Sequence, residues 1–212
     1  MAARFAAIEK QTGGRLGVAG IDIGTGRHFS HRAQERFPMC STFKMLAVST
    51  LLTRVERRKE DLGRRIRFTS GEIIEGSPIS KDHIADGMTL AELCAAALDY
   101  SDNTAANLIL AALGGPHAVT AFARSLGDPV TRLDRTEPTL NEAVPGDPRD
   151  TTTPAAMAAN LQKLLLGKAL TPASRAQLTR WMIGNKTGDA RLRDGFPHAR
   201  FPNEWRIGDK TG

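Results

Sequence analysis

Phe37-Pro38-Met39-Cys40-Ser41-Thr42-Phe43-Lys44 leads into an apolar run in which Phe43, Leu46, Ala47, Thr50, Leu51 and Val55 recur at helical spacing, predicting a helix over 41–57. Ser41 stands at the mouth of that helix, where backbone amides lack intrahelical partners and the macrodipole favours negative charge. Lys44 lies three residues on and projects from the same face, one turn up. Serine is a weak nucleophile until a neighbour takes its proton, and a lysine can do so only when burial or nearby positive charge lowers its pKa. Taken alone, a helix cap followed by an exposed lysine is the simpler reading.

Outward from this stretch the chain alternates between short extended and helical segments. Residues 2–10 place Phe5, Ala6 and Ile8 on one side of a short helix that Gly13-Gly14 ends. Residues 15–23 and 27–33 read as the strands of a hairpin turning at Gly24-Thr25-Gly26. Downstream, Thr89-Leu90-Ala91-Glu92 is a capping signature opening a helix over 89–99, and Asn103–Leu113 is rich in alanine and leucine until Gly114-Gly115-Pro116. Further helices are predicted over 117–126, 153–166 and 172–183. Trp205-Arg206-Ile207 reads as a strand entering Lys210-Thr211-Gly212. The loop over 133–149, with Pro138, Pro145, Gly146 and Pro148, is too long to be a plain connection, and long ordered loops carry function more often than not. A strand pair at the start, a helical centre and a strand at the end give an α+β, two-lobed plan: 1–35 with 185–212 in one lobe, 36–184 in a mostly helical one.

Bulk properties narrow the choice of partner. The chain has 212 residues, 41% hydrophobic and 25% charged, which suits one globular domain. Its 29 basic residues outnumber the 23 acidic ones, for a net charge of +6. The cations are interleaved with Asp and Glu, and the clusters at 54–59 and 64–67 read as solvated faces, so no nucleic-acid partner is expected. Neither is a membrane partner, because no apolar run reaches spanning length and the first residues lack a leader's apolar core. His28 and His31 have no carboxylate at ligand spacing, so neither metal nor cofactor is expected. Cys40 and Cys94 are too few for a disulfide framework.

Two further motifs accompany Ser41 and Lys44. Ser101-Asp102-Asn103 falls between two helices, where small polar side chains can reach across a cleft or simply cap the second helix. Lys-Thr-Gly occurs at 186–188 and again at 210–212. The first copy follows helix-stop residues Gly184-Asn185 and reads as a decoy. In the second, Lys210 offers a cation to a substrate carboxylate, Thr211 a hydroxyl, and Gly212 a close approach to the backbone.

Taken in order, Phe-Pro-Met-Cys-Ser-Thr-Phe-Lys, Tyr-Ser-Asp-Asn-Thr-Ala-Ala-Asn, Asp-Arg-Thr-Glu-Pro-Thr-Leu-Asn and the final Lys-Thr-Gly resemble the class A serine β-lactamases over essentially the whole chain. The resemblance implies a two-lobed β-lactamase/transpeptidase-like fold, a helical lobe beside an antiparallel sheet, in a monomer secreted to the periplasm or outside. It implies hydrolysis of the β-lactam amide of penicillin- and cephalosporin-type antibiotics through an acyl-serine intermediate. Ser41 would attack the ring carbonyl, Lys44 would help move protons, and Ser101 would relay one to the leaving nitrogen. Asn103 would hold the substrate's side-chain amide. Glu137, with Asn141 four residues on, would position the water that frees the acyl group. Penicillin-binding transpeptidases and sensors share the other motifs but acylate without turnover. Arg135 and Asp150 would close the loop as an ion pair, and Arg191 would be a second binder of the substrate carboxylate.

Three departures from the family pattern qualify this. Gly76, in Glu75-Gly76-Ser77-Pro78, falls where the family carries an aromatic wall, so a wider entrance is expected. The segment 195–205 is longer than the usual connection. Family chains also continue beyond Lys-Thr-Gly with further strands and a helix, and the next residue gives the oxyanion hole its second donor. The partner that some members provide for a cysteine at the Cys40 position lies there too, while Cys94 reads as a buried small hydrophobe. An inactive fragment that needs a complementing C-terminal segment is therefore an alternative reading of these residues.

Overall fold

The computed structural model describes residues 2–195 and 206–212. Its organising element is the helix that begins beside Ser41. A tight 3-10 turn, Cys40–Thr42, passes into α2, Phe43–Glu56. The spacing of its apolar residues predicts one buried face, but every residue from Phe43 to Leu52 is buried, Met45, Val48 and Ser49 included. Helices α3 (Leu90–Asp99), α4 (Asn103–Leu113), α5 (His117–Ser125) and α7 (Pro172–Gly184) all pack against it, so no side of its first turns faces water. The hydroxyls enclosed there stay paired within the helix, Ser49 Oγ donating to Met45 O at 2.8 Å and Thr50 Oγ1 to Leu46 O at 2.7 Å.

Helix ends follow from local chemistry. Thr89 and Glu92 close a reciprocal capping box on α3, with Thr89 N–H donating to Glu92 Oε2 at 2.6 Å and Glu92 N–H to Thr89 Oγ1 at 3.2 Å. Thr153 and Thr171 cap α6 (Pro154–Leu165) and α7, each followed by a proline already set for the first turn. The far ends take cations. Arg54 donates to the carbonyls of Ala112 and Leu113 at 3.1 and 2.6 Å, Lys163 to that of Leu126, and Arg175 to that of Gly167. Part of the basic excess thus satisfies helix carbonyls. Arg54, read from the sequence as part of a solvated cluster, is half-buried in this way.

The strands are short. After α1 (Ala2–Thr12), β1 (Val18–Asp22) and β2 (Arg27–His31) pair antiparallel, with Val18 opposite His31 and Asp22 opposite Arg27. Gly20 is required there, because a Cβ would come within 1.9 Å of the Phe29 ring that crosses it. Helix α6 covers β1. Two-residue pairs join β3 (Phe37–Pro38) to β6 (Thr151–Thr152) and β4 (Arg65–Ile66) to β5 (Met88–Thr89). The β3–β6 pair fixes the far end of the long loop beside the turn that carries Ser41, and Arg132 N–H, donating to Thr151 O at 3.1 Å, ties the near end to the same strand. Residues 206–212 form no ladder, contrary to the strand expected around Ile207; Trp205 and most of the long 195–205 segment lie outside the described residues. Backbone groups of 206–212 bond to the end of α7 instead, Asp209 N–H to Met182 O at 3.1 Å and Asn185 Nδ2 to Asp209 O at 3.0 Å.

Candidate active site

Backbone conformation sets the first residues of the site. Cys40 and Ser101 hold φ of 42° and 59°. That region costs a non-glycine residue about 1–2 kcal/mol, and it persists where surrounding contacts over-determine it. Lys44 is enclosed completely and donates Nζ to Ser41 Oγ at 2.8 Å, to Ser101 O at 2.6 Å and to Asn103 Oδ1 at 2.7 Å. Ser101 Oγ, at 3.4 Å, is a further acceptor within its reach. Burial pushes the Lys44 pKa down, and the Glu137 carboxylate, 3.2 Å from Nζ, works against that shift.

Glu137 reaches the same point from the long loop. It is buried; its Oε1 accepts the Ser41 hydroxyl at 3.1 Å and its Oε2 accepts Asn141 Nδ2 at 2.6 Å. Asn107 clamps the Glu137 backbone from both sides, its Oδ1 accepting Glu137 N–H and its Nδ2 donating to Glu137 O, each at 2.9 Å. Asn107 lies one turn beyond Asn103 on α4, so one helix face presents an amide to the cleft and another to the loop. Farther along the loop, Asp150 is enclosed at φ 57°, and its carboxylate accepts Asp134 N–H at 2.7 Å, Arg135 N–H at 3.0 Å and Arg135 Nε at 2.6 Å. Arg135 also pairs with Glu142.

The second wall is Ser101-Asp102-Asn103. Asp102 faces away from the cleft, accepting Ile79 N–H and Ser80 N–H at 2.9 and 2.8 Å and capping α4 through Ala105 N–H at 2.8 Å. Asn103 donates Nδ2 to Glu75 O at 2.9 Å. Gly76, at φ 77°, lies against this amide, and a Cβ there would come within 2.6 Å of Asn103 Nδ2. A side chain at 76 would have to shift the Asn103 amide and would be strained at this φ.

Lys210 closes the site, its Nζ donating to Ser101 Oγ at 2.9 Å. Burial, reinforced by the charge of Lys44, lowers its pKa to about 7. Gly212 lies against the Ser41 turn, where a Cβ would be 3.3 Å from Met39 O. Thr211 Oγ1 is 2.6 Å from Thr187 Oγ1, so the first Lys-Thr-Gly copy, taken from sequence as a decoy, packs on the second. Both copies converge because Asn185 holds residues 187 and 188 on one side and Asp209 on the other. Arg191 is exposed, and the guanidinium that pairs with Asp209 belongs to Arg193. Cys94 is fully buried, as read from sequence. No group of three or more His, Cys, Asp or Glu among the described residues could hold a metal ion. A cavity of about 680 Å³ behind the loop, lined by Arg15, Arg36, Arg149 and Val144, includes neither Ser41 nor Lys210 in its lining.

A serine within hydrogen-bond reach of both a lysine and a buried carboxylate, with a second hydroxyl and a cation opposite, defines an acyl-transfer hydrolase of the serine–lysine class. The model of the beta-lactamase enzyme family matches residues 1–212. The chain is 54% identical over 206 residues to Beta-lactamase CTX-M-97 of Escherichia coli, covering 97% of this chain and 69% of that protein. It is 53% identical over 209 residues to Beta-lactamase CTX-M-8 of Citrobacter amalonaticus, covering 99% and 70%. The solved structure of an ancestral class A β-lactamase superposes with a TM-score of 0.95 at 61% identity, covering 100% of this chain and 79% of that one. The chain belongs to the beta-lactamase enzyme family and is a class A serine β-lactamase, a hydrolase associated with antibiotic resistance.

Proposed function

We propose that the chain hydrolyses penicillin- and cephalosporin-type β-lactams through an acyl-serine intermediate on Ser41. The observation that carries this reading is the placing of Ser41 Oγ between Lys44 Nζ at 2.8 Å and Glu137 Oε1 at 3.1 Å. Burial, which lowers the Lys44 pKa, lets Nζ take the serine proton as Oγ attacks the ring carbonyl, and Glu137 stays a carboxylate for the later step. The Ser41 N–H, at the head of its turn, faces the developing oxyanion. As the C–N bond breaks, Ser101 gives its proton to the ring nitrogen and regains one from Lys44 Nζ, 3.4 Å away, which hands on the proton it took from Ser41. Lys210 and Thr211 receive the substrate carboxylate. Asn103, with one N–H on Glu75 and its oxygen on Lys44, keeps the other N–H for the acyl side chain.

Deacylation distinguishes this reading from a penicillin-binding protein that keeps its acyl group. Glu137, fixed by Asn107 and Asn141, takes a proton from water as that water attacks the ester, and the Ser41 alkoxide leaves with the proton. Intact mass after exposure to benzylpenicillin tests it. Glu137→Ala should accumulate one acyl adduct, Ser41→Ala should show none, and the unmodified protein should return to its own mass. A persistent adduct on the unmodified protein would make it an acylated sensor instead.

A further inference from the structure

Thr187 has one hydroxyl proton and two acceptors within reach: Asn185 Oδ1 at 3.0 Å and Thr211 Oγ1 at 2.6 Å. The orientation of Asn185 is fixed, because its Oδ1 accepts Thr187 N–H and Gly188 N–H while its Nδ2 donates to Asp209 O. Asn185 is buried and cannot give Thr187 a proton. Two arrangements follow. If Thr187 donates to Asn185, Thr211 must donate to Thr187, and Thr211 then offers the cleft only lone pairs. If Thr187 turns its proton to Thr211, the Thr211 hydroxyl is released to donate outward. Asn185 loses little by the change, since two backbone N–H groups remain on its oxygen.

We propose that Thr187 is a positioning residue for substrate binding: its hydroxyl directs the Thr211 proton onto the carboxylate of a β-lactam. This rests on the reading that Lys210 and Thr211 receive that carboxylate. An anion beside Lys210 needs a donor from Thr211, so it selects the second arrangement, and the Thr187-to-Thr211 bond polarises the Thr211 hydroxyl into a stronger donor. The first Lys-Thr-Gly copy thereby serves the second, while Asn185 holds the proton of the empty site.

Steady-state kinetics with benzylpenicillin on Thr187→Val, Thr187→Ser, Thr211→Val and the Val/Val double variant test the proposal. Loss of one neutral hydrogen bond should raise KM about fivefold in Thr187→Val with kcat unchanged, whereas Thr187→Ser should stay within about twofold of the parent. In the Thr211→Val background, Thr187→Val should have no further effect, because no hydroxyl is left to orient. Additive losses in the double variant, or an equal loss in Thr187→Ser, would assign Thr187 a packing role and overturn the proposal. If Thr211→Val itself leaves KM unchanged, the carboxylate reading fails first and takes the inference with it. Should Thr187→Val not fold, Thr187→Ala replaces it in the same cycle.

Discussion

Lys210 concentrates the electrostatics of the site in one titratable group. Its pKa is lowered to about 7, by burial first and by Lys44 second. A carboxylate substrate needs the protonated form, which in the empty enzyme predominates below that value and is lost as pH rises through it. We expect kcat/KM for benzylpenicillin to fall above neutrality, approaching tenfold per pH unit. Lys210→Arg, whose guanidinium stays charged, should move that alkaline limb upward; a limb that stays in place would assign it to another group. Legibility in the sequence follows the same locality. Ser41 and Lys44 are three residues apart where a helix begins, so spacing puts that pair together, whereas Glu137 and Asn141, four apart in a loop, are legible through the resemblance of their motif to the family's. Asn107, Thr187 and Arg193 carry no such signal. Their partners Glu137, Thr211 and Asp209 lie 30, 24 and 16 residues away, and only the folded chain joins them.

In the proposed mechanism, turnover depends on the loop carrying Glu137. Arg135 and Asp150 pair across it, and Asp150 is tied to the loop by backbone N–H groups as well. Arg135→Ala removes a charged hydrogen bond worth about 2 kcal/mol but leaves those amides in place. The melting temperature should drop by roughly 4–8 °C. Deacylation should suffer more than that, because Glu137 must hold a water within a few tenths of an ångström of its attacking position. Burst kinetics with nitrocefin, read beside thermal unfolding, should show acylation nearly intact and the steady-state phase slowed at least tenfold. Equal slowing of both phases would place the pair's effect on the nucleophile turn instead. Helices were the legible elements, since caps such as Thr89 and Glu92 and stops such as Gly114 act within one turn. The expected strand at 207 was not, because a strand is defined by its neighbour, and this segment bonds to the end of α7.

Across the whole molecule, distant parts are tied at many points. Met39 N–H donates to Asp150 O at 2.9 Å, Arg36 to Thr151 Oγ1 at 2.9 Å, and Thr171 N–H to Glu56 Oε1 at 2.8 Å. Helix α2 is enclosed by helices from both sides of the loop, so opening any one of them uncovers the same core. Such a structure should open as one unit, and Cys94 offers a way to see it. Its thiol is buried in the middle of α3, and burial drives its pKa well above the ordinary thiol value. A thiol reagent needs the exposed thiolate, so Cys94 should react only through global unfolding. Its labelling rate, followed by peptide mass in rising urea, should accelerate with the full equilibrium m-value, roughly 2 kcal/mol/M or more. Cys40 is only half-buried beside Ser41 and should label faster at every urea concentration. A shallow urea dependence at Cys94 would instead show that α3 opens on its own, which its packing against α2, α4 and α7 argues against.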